Sequence, residues 1–256
     1  MTELTLKHVT KTYHQKTALC DISLTFTPGI YGLLGPNGAG KSTMMNLICT
    51  NLKLSGGMIL WNGRDIREWK ETYRSVIGFA PQQQALYDSF TGTRFLSYMA
   101  TLKGISGKEQ KVEIKRVLQF VNLEDEADKT IGTYSGGMKQ RILIAQALMG
   151  NPQIVILDEP TAGLDPKERV NIREKIKQLS EEKIILFSTH VVSDVQSVAK
   201  EIILIKSGTI VDADSVEKLC EKYNAKNLEE VYLHVFEESG GEAEEKENIY
   251  VETDKI

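Results

Sequence analysis

The chain contains 256 residues, of which 41% are hydrophobic, and its formal net charge is −4. This size allows a substantial core, either as one large domain or as one domain with an inserted lobe. No stretch approaches the roughly 18 apolar residues of a membrane span, and residues 1–8 lack the pattern of a secretory signal. The acidic balance provides no general basic field for nucleic acid. We therefore expect a globular, cytosolic chain that does not bind nucleic acid.

The N-terminal part of the chain favours an antiparallel β layer. Apolar and polar residues alternate over 4–6 and again over 22–26, as in half-buried strands, and a strand at 58–61 leads into an Asn-Gly turn. Between the first two strands lies Tyr13, whose ring could stack on a flat base. Packing within the protein is the commoner role of a lone tyrosine, so its position alone leaves both interpretations open.

The clearest motif follows a short apolar run at 30–34 and fits the pattern G-x-x-x-x-G-K-[ST]. Apolar residues then recur at helical spacing from 41 to about 52, which gives the order strand, glycine loop, helix. Glycines let backbone N–H groups converge on a phosphate, the lysine can reach the outer phosphates, and the serine hydroxyl can bind Mg²⁺. The alternative is a glycine-rich turn with an exposed lysine. The residues of this predicted phosphate loop are Gly35, Pro36, Asn37, Gly38, Ala39, Gly40, Lys41, Ser42 and Thr43.

A further apolar strand at 76–80 runs into Gln82. Ligands of open α/β sheets bind at the carboxyl ends of the strands, so the Gln82 amide could contact Mg²⁺ or an attacking water. A solvated loop is the alternative. From about 88 to 122 the apolar spacing becomes helical, which predicts an inserted helical lobe. Its second helix is expected to begin at a capping box formed by Ser106 and Glu109.

A second predicted anion site comprises Ser135, Gly136 and Gly137, at the start of an apolar helix. Free N–H groups and the helix dipole favour negative charge at such a position. An N-cap serine followed by flexible glycines would give the same sequence without binding a ligand. The motif by itself therefore leaves the two roles open.

Two acidic residues, Asp158 and Glu159, follow a run of apolar residues at 154–157. Such a run is typical of a parallel strand that is covered on both faces. A carboxylate at the end of this strand, beside a phosphate loop, can hold Mg²⁺, and the next carboxylate can orient and deprotonate water. Surface charge at a strand end is the alternative, and the phosphate loop elsewhere in the chain favours the functional interpretation.

Two further polar positions lie at the ends of predicted elements. Asp165 precedes Pro166 and is expected to be the N-cap of a helix that runs to about 181. The next apolar strand, at 184–187, leads to His190. A lone histidine is usually structural, but at this edge of the sheet it could hydrogen-bond a γ-phosphate and the attacking water.

The C-terminal part of the sequence contains no candidate catalytic or binding motif. A late pair of strands and a helix from Ser215 complete the expected fold. Residues 236–256 are rich in glutamate and poor in apolar side chains, so we expect a disordered acidic tail. This leaves one folded domain at 1–235, with the helical lobe at about 85–150 inserted in an α/β core.

Taken in this order, the motifs resemble those of the nucleotide-binding subunit of ABC transporters, over residues 4–211. The phosphate loop is similar to the family's Walker A loop, and residues 154–159 are similar to its Walker B motif. The other matching positions are Tyr13 (the aromatic that stacks on adenine), Gln82 (Q-loop), Ser135, Gly136 and Gly137 (signature motif), Asp165 (D-loop) and His190 (switch histidine). The resemblance implies an α/β fold with a P-loop NTPase core and a mostly parallel sheet, an N-terminal antiparallel β layer and an inserted α-helical subdomain.

The resemblance also implies an ATPase whose cofactors are ATP and Mg²⁺. Glu159 would be the general base, His190 would position the γ-phosphate and the water, and Gln82 would contact the metal or the water. The implied metal-binding residues are Ser42, Gln82 and Asp158. The implied ATP-binding residues are those of the phosphate loop together with Tyr13, Ser135, Gly136, Gly137 and Asp165.

The family's partners extend this expectation beyond one chain. In the family, the signature motif contacts ATP held by the opposite protomer, which implies a second ATPase subunit, identical or different. A transmembrane permease on a separate chain is the other implied partner, and it would place this chain at the cytoplasmic face of the cell membrane. Tyr134 and Met138 depart from the usual signature but resemble bacterial export-type subunits, whereas Arg94 stands where a glutamate is common.

Other functions remain to be weighed against an export ATPase. A soluble ABC ATPase for protein or iron–sulfur cluster assembly would carry the same motifs. A nucleotide-binding switch with little turnover is disfavoured by Glu159 and His190. A GTPase is disfavoured because the guanine-recognition pattern [NT]-K-x-D is absent from the sequence, and a Ser-Gly-Gly helix start is not expected of a kinase.

Overall fold

The structure, a computed structural model, describes residues 2–82 and 86–236. In these residues the strands are Leu4–Tyr13 (β1), Lys16–Phe26 (β2), Gly29–Leu34 (β3), Gly56–Trp61 (β4), Arg64–Asp65 (β5), Ile77–Ala80 (β6), Ile154–Asp158 (β7), Ile184–Ser188 (β8), Glu201–Lys206 (β9) and Thr209–Asp214 (β10). The helices are Lys41–Ile48 (α1), Lys70–Ser75 (α2), Gly92–Leu102 (α3), Gly107–Phe120 (α4), Gly136–Leu148 (α5), Pro166–Leu179 (α6), Ser193–Gln196 (α7), Val216–Lys222 (α8) and Leu228–Phe236 (α9).

The strands form two sheets. The larger sheet has the order β10-β9-β3-β8-β7-β6, and every neighbouring pair in it is parallel except β10 with β9. The smaller sheet has the order β2-β1-β4-β5 and is antiparallel throughout. Helices α3, α4 and α5 all lie between β6 and β7 in the chain. The predicted fold class is therefore confirmed, with a mostly parallel sheet, an antiparallel β layer and an inserted set of helices.

Both faces of the larger sheet are covered, and alternate residues of one strand enter different cores. In β3, Ile30 and Leu34 face the core that contains the inserted helices, whereas Tyr31 and Leu33 face the core shared with α1 and the smaller sheet. This division explains why β3, β7 and β8 are buried at every residue and why their sequences do not alternate. The central strands are thus held rigidly, and their carboxyl ends form one fixed edge.

Helix α5 packs directly under the edge strand β6. A Cβ at Gly78 would overlap the carbonyl oxygen of Ala147, so the helix approaches the strand backbone closely. The Gln146 amide donates a hydrogen bond to the carbonyl oxygen of Phe79 at 2.8 Å. These contacts anchor the last of the inserted helices to the parallel sheet.

All three helix starts discussed above lie where the sequence places them, but only two have a side-chain cap. The Ser135 hydroxyl accepts a hydrogen bond from the N–H of Met138 at 3.2 Å, and Asp165 accepts one from the N–H of Glu168 at 3.0 Å. Helix α4 begins after Ser106 as predicted, but the capping box is wrong, because the Ser106 side chain makes no cap hydrogen bond. The next residue, Gly107, has a φ of 61°, so the first turn lacks the helical backbone that a capping box requires.

Helix α1 ends earlier than the apolar spacing predicts. It stops at Ile48 instead of continuing to about 52, because Thr50 adopts a left-handed conformation with a φ of 60°. The N–H of Thr50 then donates a hydrogen bond to the carbonyl oxygen of Leu47, and the N–H of Asn51 donates one to the carbonyl oxygen of Asn46. These two bonds form a Schellman motif, in which a threonine occupies the position that glycine usually takes.

Some short elements were not predicted, namely β5, α2, α7 and α9. The strand predicted at 76–80 begins one residue later, at Ile77. The expected disorder of the acidic tail concerns residues that, apart from Phe236, lie outside the described part of the chain. The proposed boundaries at 85–150 and 235 remain predictions. Across residues 2–82 and 86–236, no helix combines the length and the apolar character that a membrane crossing requires.

Candidate functional site

The glycine loop lies between β3 and α1, under the turn that joins β9 to β10. Gly38 and Gly40 have φ values of 78° and 115°, which side chains other than glycine rarely tolerate. A Cβ at Gly35 would overlap the carbonyl oxygen of Ile205 in β9. The N–H of Gly208 also donates to the carbonyl of Ala39 at 2.8 Å, so the loop is braced by the neighbouring turn.

Lys41 begins helix α1 and points back into this loop. Its Nζ donates hydrogen bonds to the carbonyl oxygens of Gly35 at 2.6 Å and of Pro36 at 3.1 Å. The residue is only 8% exposed, and this burial lowers the pKa of its ammonium group, while Glu159 and Asp158 partly oppose the shift. A buried cation is therefore held beside the loop, where an anion would relieve the cost of its burial.

A cavity of about 600 Å³ opens at the carboxyl end of the parallel sheet, in the size range of small-molecule sites. Most predicted site residues line it. The lining residues are Tyr13, Lys16, Thr17, Ala18, Asn37, Gly38, Ala39, Gly40, Lys41, Ser42, Thr43, Gln82, Asp158, Glu159, Ser207 and Gly208. Tyr13 is 41% exposed and belongs to neither core, which favours the stacking interpretation over packing. The Nζ of Lys11 lies 4.7 Å from the centre of its ring.

The two carboxylates after the apolar run occupy different positions. Asp158 is the last residue of β7, and its Oδ1 accepts a hydrogen bond from the hydroxyl of Ser188 at 2.5 Å. Glu159 lies just beyond the strand with a φ of 53°, a conformation that is uncommon for a residue with a side chain. Because β7 and β8 pair as Asp158 with Ser188, the register of the parallel sheet fixes both carboxylates.

His190 joins the site through Glu159. Its Nδ1 lies 2.8 Å from Oε2 of Glu159, with a side chain that is 66% exposed against 8% for the glutamate. The carbonyl of Glu159 also accepts a hydrogen bond from the Gln140 amide at 3.2 Å, from helix α5. Glu159 is thus held from two sides and presents a buried carboxylate at the cavity wall, an arrangement that can orient water and accept its proton.

The oxygen-bearing side chains of the cavity suit a magnesium ion. Ser42, Gln82 and Asp158 all line it and offer hydroxyl, amide and carboxylate oxygens, the ligand types that Mg²⁺ prefers. The described residues contain no group of three or more His, Cys, Asp or Glu that could hold a metal ion. Three oxygen donors are fewer than the six that Mg²⁺ takes, so a bound ion would complete its coordination with phosphate and water oxygens.

Seven predicted site residues do not line the cavity. Three of them contact residues that do, since Gly35 and Pro36 accept hydrogen bonds from Lys41, and His190 contacts Glu159. The other four stand apart from it. Ser135, Gly136, Gly137 and Asp165 do not line it. Ser135 and Gly136 are exposed at the start of α5, and a Cβ at Gly136 would meet nothing within 4 Å. The structure therefore brings the phosphate loop, Gln82, Asp158, Glu159 and His190 together and leaves the second anion site open to solvent.

Several residues of the site were missed by sequence reasoning. Lys16, Thr17 and Ala18 line the cavity but belong to no motif, and Ser207 with Gly208 was interpreted only as a turn. Ser188 also went unassigned, although a serine directly after a buried strand, beside the strand of the carboxylates, was a signal that could have identified it. Only the order of strands in the sheet brings these segments together.

Comparison with known proteins agrees with this geometry. The ABC transporter family model matches residues 19–162, more than half of the chain. An uncharacterised ABC transporter ATP-binding protein of Bacillus subtilis (strain 168), YxlF, is 36% identical over 208 residues, which cover 81% of this chain and 69% of that protein. The linearmycin resistance ATP-binding protein LnrL of the same organism is 35% identical over 86% of this chain and 71% of its own length.

A solved structure is similar over nearly its whole length. It is the dimeric, post-hydrolysis state of an ATP-binding cassette bound to ADP and Pi, with 30% identity and a TM-score of 0.75. The match covers 83% of this chain and 98% of that one. Motif order, fold, cavity and relatives lead to one conclusion: the chain belongs to the ABC transporter family and is one of its ATP-binding cassettes, an ATPase.

Proposed function

We propose that this ATPase powers a separate membrane permease, in the direction of export, and that its two ATP sites form between two copies of the chain. The observation that carries its catalytic part is the contact between buried Glu159 and His190, at the wall of the cavity that Lys41 also lines. A site that only stored nucleotide would need the loop but would have no use for a buried carboxylate oriented by a histidine.

Each group of the site has a separate role. Lys41 and the loop amides bind the β- and γ-phosphates, Tyr13 stacks on the adenine, and His190 positions the γ-phosphate and the water that Glu159 deprotonates. Ser42, Gln82 and Asp158 would hold Mg²⁺. When bound, the ion neutralises charge that builds up between the β- and γ-phosphates.

The dimer follows from the residues that stand outside the cavity. The exposed start of α5, at Ser135 to Gly137, offers N–H groups and the positive end of a helix of 13 residues, yet it does not reach the cavity of its own chain. A second copy, packed head to tail, would bring these groups and Asp165 to the γ-phosphate. The dimeric state of the cassette solved with ADP and Pi supports this arrangement.

Transport is supported by the two Bacillus subtilis relatives described above, which carry a transporter name and a resistance name and not the name of a protein that assembles iron–sulfur clusters. The name of the linearmycin resistance protein supports export in particular. The permease would lie on another chain and would hold this one at the cytoplasmic face of the membrane. Co-purification of the tagged chain with a multispanning membrane protein tests this part, and capture of soluble assembly factors alone would contradict it.

The Glu159→Gln variant tests hydrolysis and dimerisation together. Without a base the protein should bind ATP but stall before cleavage, so that ATP-dependent dimers accumulate in size-exclusion chromatography with light scattering. Glu181→Gln, a change at an exposed glutamate, should remain monomeric and active. Wild-type turnover in Glu159→Gln would contradict the base, and the absence of ATP-dependent dimers in an inactive variant would contradict the shared site.

A further inference from the structure

A second buried polar cluster lies behind the catalytic edge, centred on Asp194 in helix α7. The Asp194 side chain is fully buried, and its Oδ2 accepts a hydrogen bond from the hydroxyl of Thr161 at 2.5 Å. Thr161 is itself only 2% exposed. Neither residue lines the nucleotide cavity. A buried carboxylate is costly unless it is paired, so its presence here calls for an explanation.

Two arginines of helix α6 lie near Asp194 and offset its charge, but neither donates a hydrogen bond to its carboxylate. Its Oδ1 lies 3.7 Å from Nη1 of Arg173 and 3.9 Å from Nε of Arg169, and it has no hydrogen-bond partner among the described residues. Arg173 Nη1 donates instead to the carbonyl of Ser193 at 2.9 Å. The cluster therefore joins α6 to α7, and within residues 2–82 and 86–236 the Thr161 hydroxyl is the one side chain that donates a hydrogen bond to Asp194.

Thr161 and Asp194 lie close in sequence to the two residues proposed to act in hydrolysis. Thr161 follows Glu159 by two residues, and Asp194 follows His190 by four. The segment after β7 and the segment after β8 are thus tied twice, once between Glu159 and His190 and once between Thr161 and Asp194. A single contact would allow one segment to rotate relative to the other, whereas two contacts fix their relative orientation.

We infer that Asp194 is a positioning residue for ATP hydrolysis, which acts through Thr161 to hold the His190 segment against Glu159. The inference rests on the proposed roles of Glu159 and His190. The His190 side chain is 66% exposed, so its own surroundings restrain it little. The buried tie behind it supplies the restraint. Because Asp194 contacts no part of the cavity, its removal should change turnover and leave ATP binding unchanged.

Isosteric variants test the tie without opening a hole in the core. Thr161→Val removes the hydroxyl, and Asp194→Asn removes the charge that the two arginines face. Each should lower kcat by about 10- to 100-fold, the usual scale for groups that orient a reacting residue, with the KM for ATP within about twofold of wild type. Thr161→Ser keeps the hydroxyl and should recover most of the rate. Glu113→Gln, in an ion pair with Arg116 on α4 that does not touch the cavity, is the control and should leave kcat unchanged.

A double-mutant cycle with His190→Ala separates positioning from simple stabilisation. If Asp194 acts through His190, Asp194→Asn should lower kcat in the wild-type background and have no further effect in His190→Ala, while its effect on the melting temperature is the same in both. A fall in kcat of equal size in both backgrounds, or unchanged kcat in both Asp194→Asn and Thr161→Val, would overturn the inference. Unchanged turnover in His190→Ala alone would instead refute the proposed role of the histidine, and the inference with it.

Discussion

The backbone N–H of Glu159 donates to both the carbonyl oxygen and the hydroxyl of Ser188, each at 3.1 Å. The same hydroxyl donates to Oδ1 of Asp158, so one fully buried serine binds the side chain of Asp158 and the backbone of Glu159. Both acids line the cavity, where the Asp158 carboxylate contacts Ser188 and the Glu159 carboxylate contacts His190. The division of labour between two adjacent acids therefore depends on a residue of the next strand.

Ser188→Ala should weaken the metal site more than the nucleotide site. The substitution removes the hydrogen bond that the Ser188 hydroxyl donates to Oδ1 of Asp158 and the one that it accepts from the N–H of Glu159. This loss should lower the free energy of unfolding by about 1–3 kcal/mol. We expect the Mg²⁺ concentration for half-maximal ATPase activity to rise by about 10-fold or more. Magnesium titrations and thermal unfolding measure the two effects, and Ser197→Ala, at an exposed serine, is the control. An unchanged Mg²⁺ dependence would argue against this role of Ser188.

Lys41→Met should lower turnover by about 100-fold or more and stabilise the unliganded protein. Removal of a preorganised positive donor costs about 3 kcal/mol or more, roughly 100-fold in rate, whereas loss of a buried charge relieves desolvation. Burial lowers the pKa of Lys41 below its ordinary 10.5. The unfolded chain then binds more protons than the folded one between the lowered pKa and 10.5, and wild-type stability rises with pH in that window.

The stability advantage of Lys41→Met should accordingly be present at neutral pH and shrink as pH rises through the window. Urea unfolding at pH 7 and near pH 10 measures it, with Lys70→Met, at an exposed lysine, as the control for general alkaline effects. A Lys41→Met protein that is less stable than wild type at pH 7 would contradict the buried, desolvated state of the ammonium.

Tyr13→Ala should raise the KM for ATP and leave kcat nearly unchanged. Loss of base stacking costs about 1–3 kcal/mol, and stacking holds the substrate equally in the ground state and the transition state. Tyr13→Phe keeps the ring and should behave like wild type. Steady-state ATPase assays distinguish these cases. Equal KM values in all three proteins would place the adenine elsewhere.

Mixing of two inactive variants should restore activity if each site is shared between protomers. Lys41→Ala damages the phosphate loop, and Gly136→Asp places a negative charge at the start of α5, where the open space around Gly136 accepts a side chain. In a head-to-tail dimer of the two variants, one site carries both lesions and the other carries none. We expect about a quarter of the wild-type rate, because about half of the dimers are mixed and each has one intact site of two.

The control for this experiment is each variant alone at the same total protein concentration, and both samples should remain inactive. If each site belonged to a single chain, both chains in the mixture would keep their lesion and no activity would return. Restored turnover therefore distinguishes a shared site from an internal one without any assumption about the permease.

Local spacing alone predicts much of this protein. The loop from Gly35 to Thr43 and the caps at Ser135 and Asp165 are local features, since a turn or a helix start depends on residues a few positions apart. The buried strands before Asp158 and His190 were predicted for the same reason, because a strand covered on both faces needs an unbroken apolar run. Helix α1 shows the limit of this reasoning, because Thr50 terminates it within a pattern that still favours a helix.

The tertiary structure decided which of these local features meet. The sheet order places β3, β8 and β7 side by side, and only that order puts Lys41, Ser188 and Glu159 at one edge. The same order ties Thr161 to Asp194, a pair separated by 33 residues that no local pattern connects. The sequence by itself therefore determined the chemistry that is available, because side-chain types and local backbone preferences are written in it. The pairing of the strands determined which groups act together, because contacts between distant segments exist only after the chain has folded.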